Sequence, residues 1–219
     1  MSFLAALSAI FEGLGVTLTV TALGMCYAVP FAFVAGIAQY AWRGPAWLAV
    51  TAVIEFWRST SVVILLYGFY YTLPTFGVRL SGITVGAMVL GLHIGGYGSQ
   101  AVRGALQALD RGQAEAGRAL GLASWQILIL VEVPQALRAM VPTFINQFIQ
   151  LVKGTSLVSL VTLTDMTFRA KEIAQLHYDP PTIYLALLFA YFVLCYPATV
   201  LGRWVECKVG LGRRLDHAV

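Results

Sequence analysis

The chain has 219 residues, 59% of them apolar and only 11% charged, with a formal net charge of +4 and a mean hydropathy of +0.79. Globular domains carry roughly a quarter charged residues, so this composition excludes an ordinary water-soluble fold and points to an all-α integral membrane protein in one domain, 1–219. The length leaves no room for a soluble catalytic domain, and the basic excess does not gather into a patch with interleaved aromatics, so no nucleic-acid partner is expected.

The N-terminus, Met1-Ser2-Phe3-Leu4, carries no basic residue and does not look like a cleaved signal peptide. Uncharged windows follow at 13–42, 59–78, 80–102 and 180–202, each with about the ~20 residues that cross a hydrocarbon core as a helix. Five spans are expected: 14–41, 46–73, 80–102, 135–163 and 182–204. With the N-terminus outside, Arg43, Arg103, Arg111, Arg118, Arg138, Arg203, Lys208, Arg213 and Arg214 fall inside, and only Arg79, Arg169 and Lys171 outside. The excess of basic residues in cytoplasmic segments sets orientation, so the expected topology is N-out, C-in in a cell membrane. Cys26, Cys195 and Cys207 show no spacing of a disulfide framework or metal site and read as small buried hydrophobes.

Within the second span Glu55 and Arg58 stand three residues apart and can pair on one helix face. They are either an interfacial pair reaching for water or part of the inner end of a pathway. Tyr67, Tyr70 and Tyr71 read as an interfacial aromatic belt. In the third span His93 lies among Gly91, Gly95 and Gly96. The glycines predict close helix approach, within the bundle or between subunits, and the histidine reads as a hydrogen-bonded packing residue before a ligand.

A polar, turn-punctuated segment of about thirty residues separates the third and fourth spans. Asp110 can cap a helix with Gln113 as the return partner, residues 114–120 favour helix, and Gly121 suits a left-handed C′ position. Ser124 then suits an N-cap for a second short helix through Trp125, Ile127 and Leu128, and Pro134 begins the next span. Two short helices lying across the membrane surface would offer a soluble partner a docking site. Ala116, Gly117 and Gly121 would permit close approach there, and Glu115 could bond the partner's donors. In the fourth span Lys153 falls fourteen residues past Ala139, about 21 Å into the bilayer. An ionisable residue that deep is a functional candidate. With Gly154, Thr155 and Ser156 it could meet a substrate carboxylate, or it could lock against a carboxylate of a neighbouring subunit.

From Glu55 to about Ser159 the chain resembles the permease subunits of polar amino-acid ABC importers. The resemblance is carried by Glu55-Phe56-Trp57-Arg58-Ser59-Thr60-Ser61, by Tyr97, Arg103-Gly104, Gly112-Gln113 and Glu115-Ala116-Gly117, by Gly121 with Val131-Glu132-Val133-Pro134, by Pro134-Gln135-Ala136-Leu137-Arg138, and by Lys153-Gly154-Thr155-Ser156-Leu157-Val158-Ser159. It implies the type I ABC importer permease fold, with the segment at 104–134 docking an ATPase through Glu115, Ala116, Gly117, Gly121 and Pro134. It implies also a second permease subunit, a pair of ATP-binding subunits and an extracytoplasmic solute-binding protein. Three positions depart from the family pattern: Gly117 for Ala, Gly154 for Asp and Gln100 for Glu. The last two remove carboxylates from spans that the resemblance places along the pathway. A neutral zwitterion, such as the compatible solute ectoine, is therefore expected over a strongly cationic solute; importers of cationic amino acids or opines are the alternative. No Gly-x-x-x-x-Gly-Lys-Ser/Thr loop is present, so the chain is expected to be no enzyme, with no cofactor or metal of its own and ATP bound by the partner. A scaffold or channel subunit is the alternative from another class: a scaffold would need neither the docking segment nor the deep lysine, and a channel would show a pore segment rich in carbonyl-exposing glycines between two spans, which the sequence lacks.

Overall fold

The computed structural model describes residues 2–209, with side chains described through residue 205. Arg213 and Arg214, on which the charge count partly rests, lie outside the described residues, and the side chains of Cys207 and Lys208 lie outside the described side chains. The described chain is helical and without strands: α1 (Phe3–Phe11), α2 (Leu14–Ala41), α3 (Pro45–Ser59), α4 (Val62–Tyr67), α5 (Gly82–Gln107), α6 (Arg111–Ala119), α7 (Ser124–Ile127), α8 (Val133–Gly154), α9 (Met166–His177) and α10 (Pro180–Val209). Three helical stretches, Leu14–Ala41, Ser124–Val161 and Pro180–Val205, are long and apolar enough to cross a membrane, and a fourth is reached if the bent pair Pro45–Ser59 and Val62–Phe76 makes one span.

α5 is not among them, although it is the centre of the bundle. Its glycines and His93 dilute its hydropathy because they serve packing: Val85, Gly86, Ala87, Val89, Leu90, Gly95, Gly98 and Val102 are all buried. A Cβ at Gly91 would press into the backbone of Gly24, one at Gly95 would meet Ala28 O at 2.8 Å, and one at Gly36 would meet Ser99 O at 2.6 Å. Small residues thus bring α2 and α5 into backbone contact, the usual way for apolar helices to associate where lipid removes the hydrophobic advantage. Gly96 faces α3 instead, against Arg58 Cγ. The close approach expected of these glycines lies within the bundle.

The second span expected as one helix over 46–73 is broken. α3 and the stretch Val62–Phe76 meet at 98°, with Thr60 and Ser61 extended between them. Ser59, Thr60 and Ser61 put three hydroxyl side chains in a row that compete for backbone groups, and Ser59 Oγ donates to Glu55 Oε2 at 3.2 Å.

Two helices, α1 and α9, were not foreseen. α9 occupies what read as an outer loop, and its buried residues Met166, Ala170, Ile173 and Ala174 recur at helical spacing. With Ala6 and Ile10 of α1 and Ile183, Ala186 and Ala190 of α10 they form a separate apolar core. Fully buried Asp165 caps α9, accepting from Thr167 N at 3.2 Å and Phe168 N at 2.9 Å.

Candidate functional site

α6 is capped as expected at its start: Asp110 Oδ1 accepts from Gly112 N at 2.9 Å. Gln113 does not close the box. Its Oε1 accepts instead from Gln135 Nε2, at 3.3 Å. The other end is a Schellman turn. Gly121 has φ +78°, Gly121 N donates to Arg118 O at 2.9 Å, and Leu122 N donates to Gly117 O at 3.1 Å.

Beyond the turn the expectation of a separate second surface helix is corrected. Ala123, not Ser124, is the N-cap, with Gln126 Oε1 accepting from Ala123 N at 2.8 Å. α7 then runs on through a π turn, Leu128–Glu132, into α8, so that Ser124–Val161 is one 38-residue helical rod. Pro134 explains the π turn: it has no N–H for Leu130 O, and its ring would clash with that carbonyl in a regular α-helix. α6 leans on this rod, because buried Gly117 packs against Ile127; a Cβ there would lie 2.8 Å from Ile127 Cγ1. Ala116 is exposed. Glu115 lines a polar hollow of about 480 Å³ with Arg118, Arg43 and Glu132, between α6 and the ends of α2 and α5. Tyr40 Oη donates to Glu132 Oε1 across it at 3.3 Å.

The other candidate residues divide into two groups. His93 and Lys153 meet in a polar cleft between α5 and α8. Its two hollows, of about 380 and 330 Å³, share His93, Ile94 and Gln150. The first is lined further by Tyr97, Thr143, Asn146 and Gln147, the second by Lys153, Gly154 and Ser156. Thr143, Asn146, Gln147, Gln150 and Lys153 recur every three or four residues and make one polar stripe down α8. The lysine ammonium makes no hydrogen bond or ion pair among the described residues, and no carboxylate lines either hollow.

His93 Nδ1 lies 2.7 Å from Trp57 O. A carbonyl only accepts, so Nδ1 carries the proton and Nε2 is the free acceptor of the neutral ring. The imidazole meets Tyr97 edge-on, with centroids 5.4 Å apart. Glu55 and Arg58 pair at 2.6 Å as expected, and the guanidinium lies 5.2 Å from the Tyr97 ring centroid. Tyr97 Oη donates to Arg58 O at 3.3 Å. The pair therefore sits at the rim of the cleft, held to α5 through Tyr97.

Gln100 and Thr155 lie elsewhere. Gln100 Nε2 donates to Gln39 Oε1 at 2.8 Å, and Gln39 Nε2 to Thr51 Oγ1 at 2.9 Å, an amide chain tying α5 to α2 and α3. Thr155 is fully buried, its hydroxyl turned back to Val152 O at 2.6 Å. The α-helix does give way at Lys153-Gly154, where a 3₁₀ turn begins (Thr155–Val161). Thr143, Asn146, Gln147 and Gln150 were not singled out from the sequence, although polar residues at three- and four-residue spacing inside an apolar span are themselves a signal. Gln147 also clips α5: with its amide oriented to suit its neighbours, nitrogen donates to Ile94 O at 2.7 Å and oxygen accepts from Gly98 N at 3.2 Å. Among the described residues no group of three or more His, Cys, Asp or Glu could hold a metal ion.

Residues 28–210 match the family of the binding-protein-dependent transport system inner membrane component. The chain is 35% identical over 205 residues to a probable amino-acid ABC transporter permease protein of Sinorhizobium fredii, covering 90% of this chain and 86% of that one. It is 31% identical over 214 residues to a glutamate/aspartate import permease protein of Escherichia coli, covering 94% and 95%. A solved structure described as an amino acid ABC transporter with histidines superposes with a TM-score of 0.85 at 27% identity, over 95% of this chain and 99% of that one. With that fold and that match, the chain belongs to the binding-protein-dependent transport system inner membrane components, the transmembrane permease subunits of ABC importers.

Proposed function

We propose that residues 1–219 form one five-span permease domain that passes a polar amino acid, or a small zwitterion of that kind, through the cleft between α5 and α8. The polar stripe from Thr143 to Lys153 carries this reading, because amides and an ammonium along one face of an otherwise apolar membrane helix are costly unless they face water or solute. Lys153 receives the substrate carboxylate, while Ser156, Gln150 and the free Nε2 of His93 offer neutral polar contacts. With one cation and no carboxylate in the lining, a neutral or acidic side chain is accommodated and a cationic one has no counter-charge. The glutamate/aspartate permease among the relatives supports that class.

The resemblance to type I importers supports the partners: ATPase subunits seated on α6 around Glu115, Ala116, Gly117 and Gly121, a solute-binding protein on the opposite face, and a second permease subunit, a copy or a paralogue, closing the open side of the cleft. Charge supports the orientation. Arg43, Arg111 and Arg118 line the hollow beside α6, Arg138 and Arg203 lie at that end of α8 and α10, and Arg79, Arg169 and Lys171 lie at the other end. The end carrying α6 is then cytoplasmic.

Uptake in proteoliposomes with the cognate ATPase and binding protein tests the cleft. A hydrogen bond to a charged group contributes about 1.5–3 kcal/mol, so Lys153→Met should lower uptake on the order of ten- to a hundredfold while binding to the soluble receptor stays unchanged. Competition by glutamine, glutamate, arginine and ectoine identifies the solute, with arginine expected to compete least. Parental uptake by an assembled Lys153→Met transporter would remove the lysine from the path.

A further inference from the structure

On the far side of α8 from the cleft lies another cavity, of about 610 Å³, lined by apolar side chains and Gly202. Met25, Val29 and Phe33 of α2 form one wall, Phe144 and Phe148 of α8 the floor, and Ala198, Leu201 and Trp204 of α10 the other wall. At 3.6 residues per turn, Phe144 and Asn146 point about 200° apart around α8. The helix thus gives its polar stripe to the cleft and its apolar stripe to this groove. A second subunit that closes the cleft lies on the opposite side of α8, so the groove faces the membrane.

Its length is informative. From Leu137 to Phe148 is eleven residues, about 16 Å of helix and half of a ~30 Å hydrocarbon core. The groove therefore spans one leaflet, the one on the α6 side, since Leu137 comes three residues after Pro134. Trp204, whose amphipathic ring favours the headgroup level, lies at that end. Arg138, beside Leu137 on the same turn, is exposed and makes no hydrogen bond or ion pair among the described residues.

We infer that the groove between α2, α8 and α10 binds one acyl chain of a phospholipid of that leaflet, with the headgroup phosphate at Arg138. The occupant follows from the lining, the depth and the exposed Arg138 at that end. An empty apolar groove open to lipid would forfeit dispersion contacts that a chain supplies. The inference rests on the proposed transport reading only in taking the cleft as the side turned to the second subunit.

The test uses the assembled transporter in nanodiscs of phosphatidylcholine doped with phosphatidylglycerol that carries a diazirine on one acyl chain. After irradiation, adducts are mapped by peptide mass spectrometry. Phe144, Ile145 and Leu201 should carry about fivefold more adduct than Val34 and Val200, the ratio that 1 kcal/mol of site preference gives. Val34 and Val200 are exposed residues of α2 and α10 that do not line the groove. Ala198→Phe, filling the groove from α10, and Val141→Phe, filling it from α8, should each bring the groove residues down to the level of those controls. Arg138→Gln should lower the excess with the phosphatidylglycerol probe and leave it unchanged with a diazirine diacylglycerol, which lacks the phosphate. Equal labelling of groove and control residues would overturn the site, as would a disulfide between two permease subunits through Leu201→Cys. An unchanged excess in Arg138→Gln would overturn the headgroup contact. Failure of the transport reading is separately visible: if the cleft itself faced lipid, adducts would appear on Asn146 and Gln150 as well.

Discussion

Gly121 is the position at which the proposed docking segment can be tested most cleanly. It holds φ +78°, and a Cβ there would meet nothing within 4 Å. A substitution is therefore penalised by backbone conformation alone, with no clash to confuse the result. For an L-residue the left-handed conformation costs about 1–2 kcal/mol, and a β-branched side chain is worse placed there than most. If the Schellman turn must persist for α6 to sit in the ATPase, Gly121→Val should lower the competent population by a factor of about 5–30. Substrate-stimulated ATP hydrolysis in proteoliposomes should fall by that factor, while membrane insertion and the basal hydrolysis of the isolated ATPase stay unchanged. Gly121→Asn should fall between the two, since Asn tolerates this region better than other side chains. Parental stimulated hydrolysis in Gly121→Val, at normal subunit stoichiometry, would show that the turn is not needed for docking and would refute the reasoning.

The remaining predictions concern topology and the buried carboxyl at the opposite end. With the native thiols replaced, Arg111→Cys should be labelled only from the cytoplasmic side of sealed vesicles and Val78→Cys only from outside; the reverse pattern would invert the proposed orientation. Burial holds the Asp165 carboxyl above the ordinary carboxylate range, against the opposing pull of its backbone bonds to Phe168 and Thr167. The folded state then binds this proton more tightly than the unfolded state, so the contribution to stability is fully present below about pH 3.9 and is lost as pH rises through the raised value. Asp165→Asn is neutral like the protonated acid and keeps an N-capping oxygen, so its thermal midpoint should match the parent's in acid and exceed it at neutral pH, without that pH dependence; a parental pH profile in the variant would exclude Asp165 as its source.

What the sequence revealed about this molecule, and what it hid, divides by length scale. Local turn chemistry was legible: Asp110 as a cap, Gly121 as the left-handed residue and the Glu55–Arg58 pair all follow from neighbours within a few positions. Hydropathy located α2 and α10 for the same reason. The bend at Thr60-Ser61 was hidden because an apolar run on both sides reads as one span whatever angle joins its halves. α9 was hidden because Arg169, Lys171 and Glu172 made a partly exposed helix look like a loop, while its buried face rests on small residues such as Ala170 and Ala174 with little hydropathic weight. Thr155 and Ser156 could not be told apart from sequence. Only the change to a 3₁₀ turn after Gly154 decides which hydroxyl meets the cleft and which is buried.

The continuous helical stretch from Ser124 to Val161 changes how the docking segment would act. Two separate surface helices would have to pass a movement of the ATPase through a flexible joint before it reached the membrane. In this fold α6 bears on Ile127 through Gly117, and Ile127 belongs to the same rod as Lys153. Of its irregularities, the π turn at Leu128–Glu132 lies between the docking end and the cleft and is joined to α2 by the Tyr40–Glu132 hydrogen bond. On the proposed docking, a tilt of α6 would be delivered to the polar stripe along this stretch, while Gln147 is bonded to the α5 backbone at Ile94 and Gly98. The close fit at Gly117 then has a mechanical reason. Gly117→Ala would gain about 1 kcal/mol of helix propensity but drive a methyl into Ile127, and overpacking of that kind costs about 1–3 kcal/mol. The cost would fall on the contact that transmits the motion, so the substitution would weaken coupling before it weakened the helix.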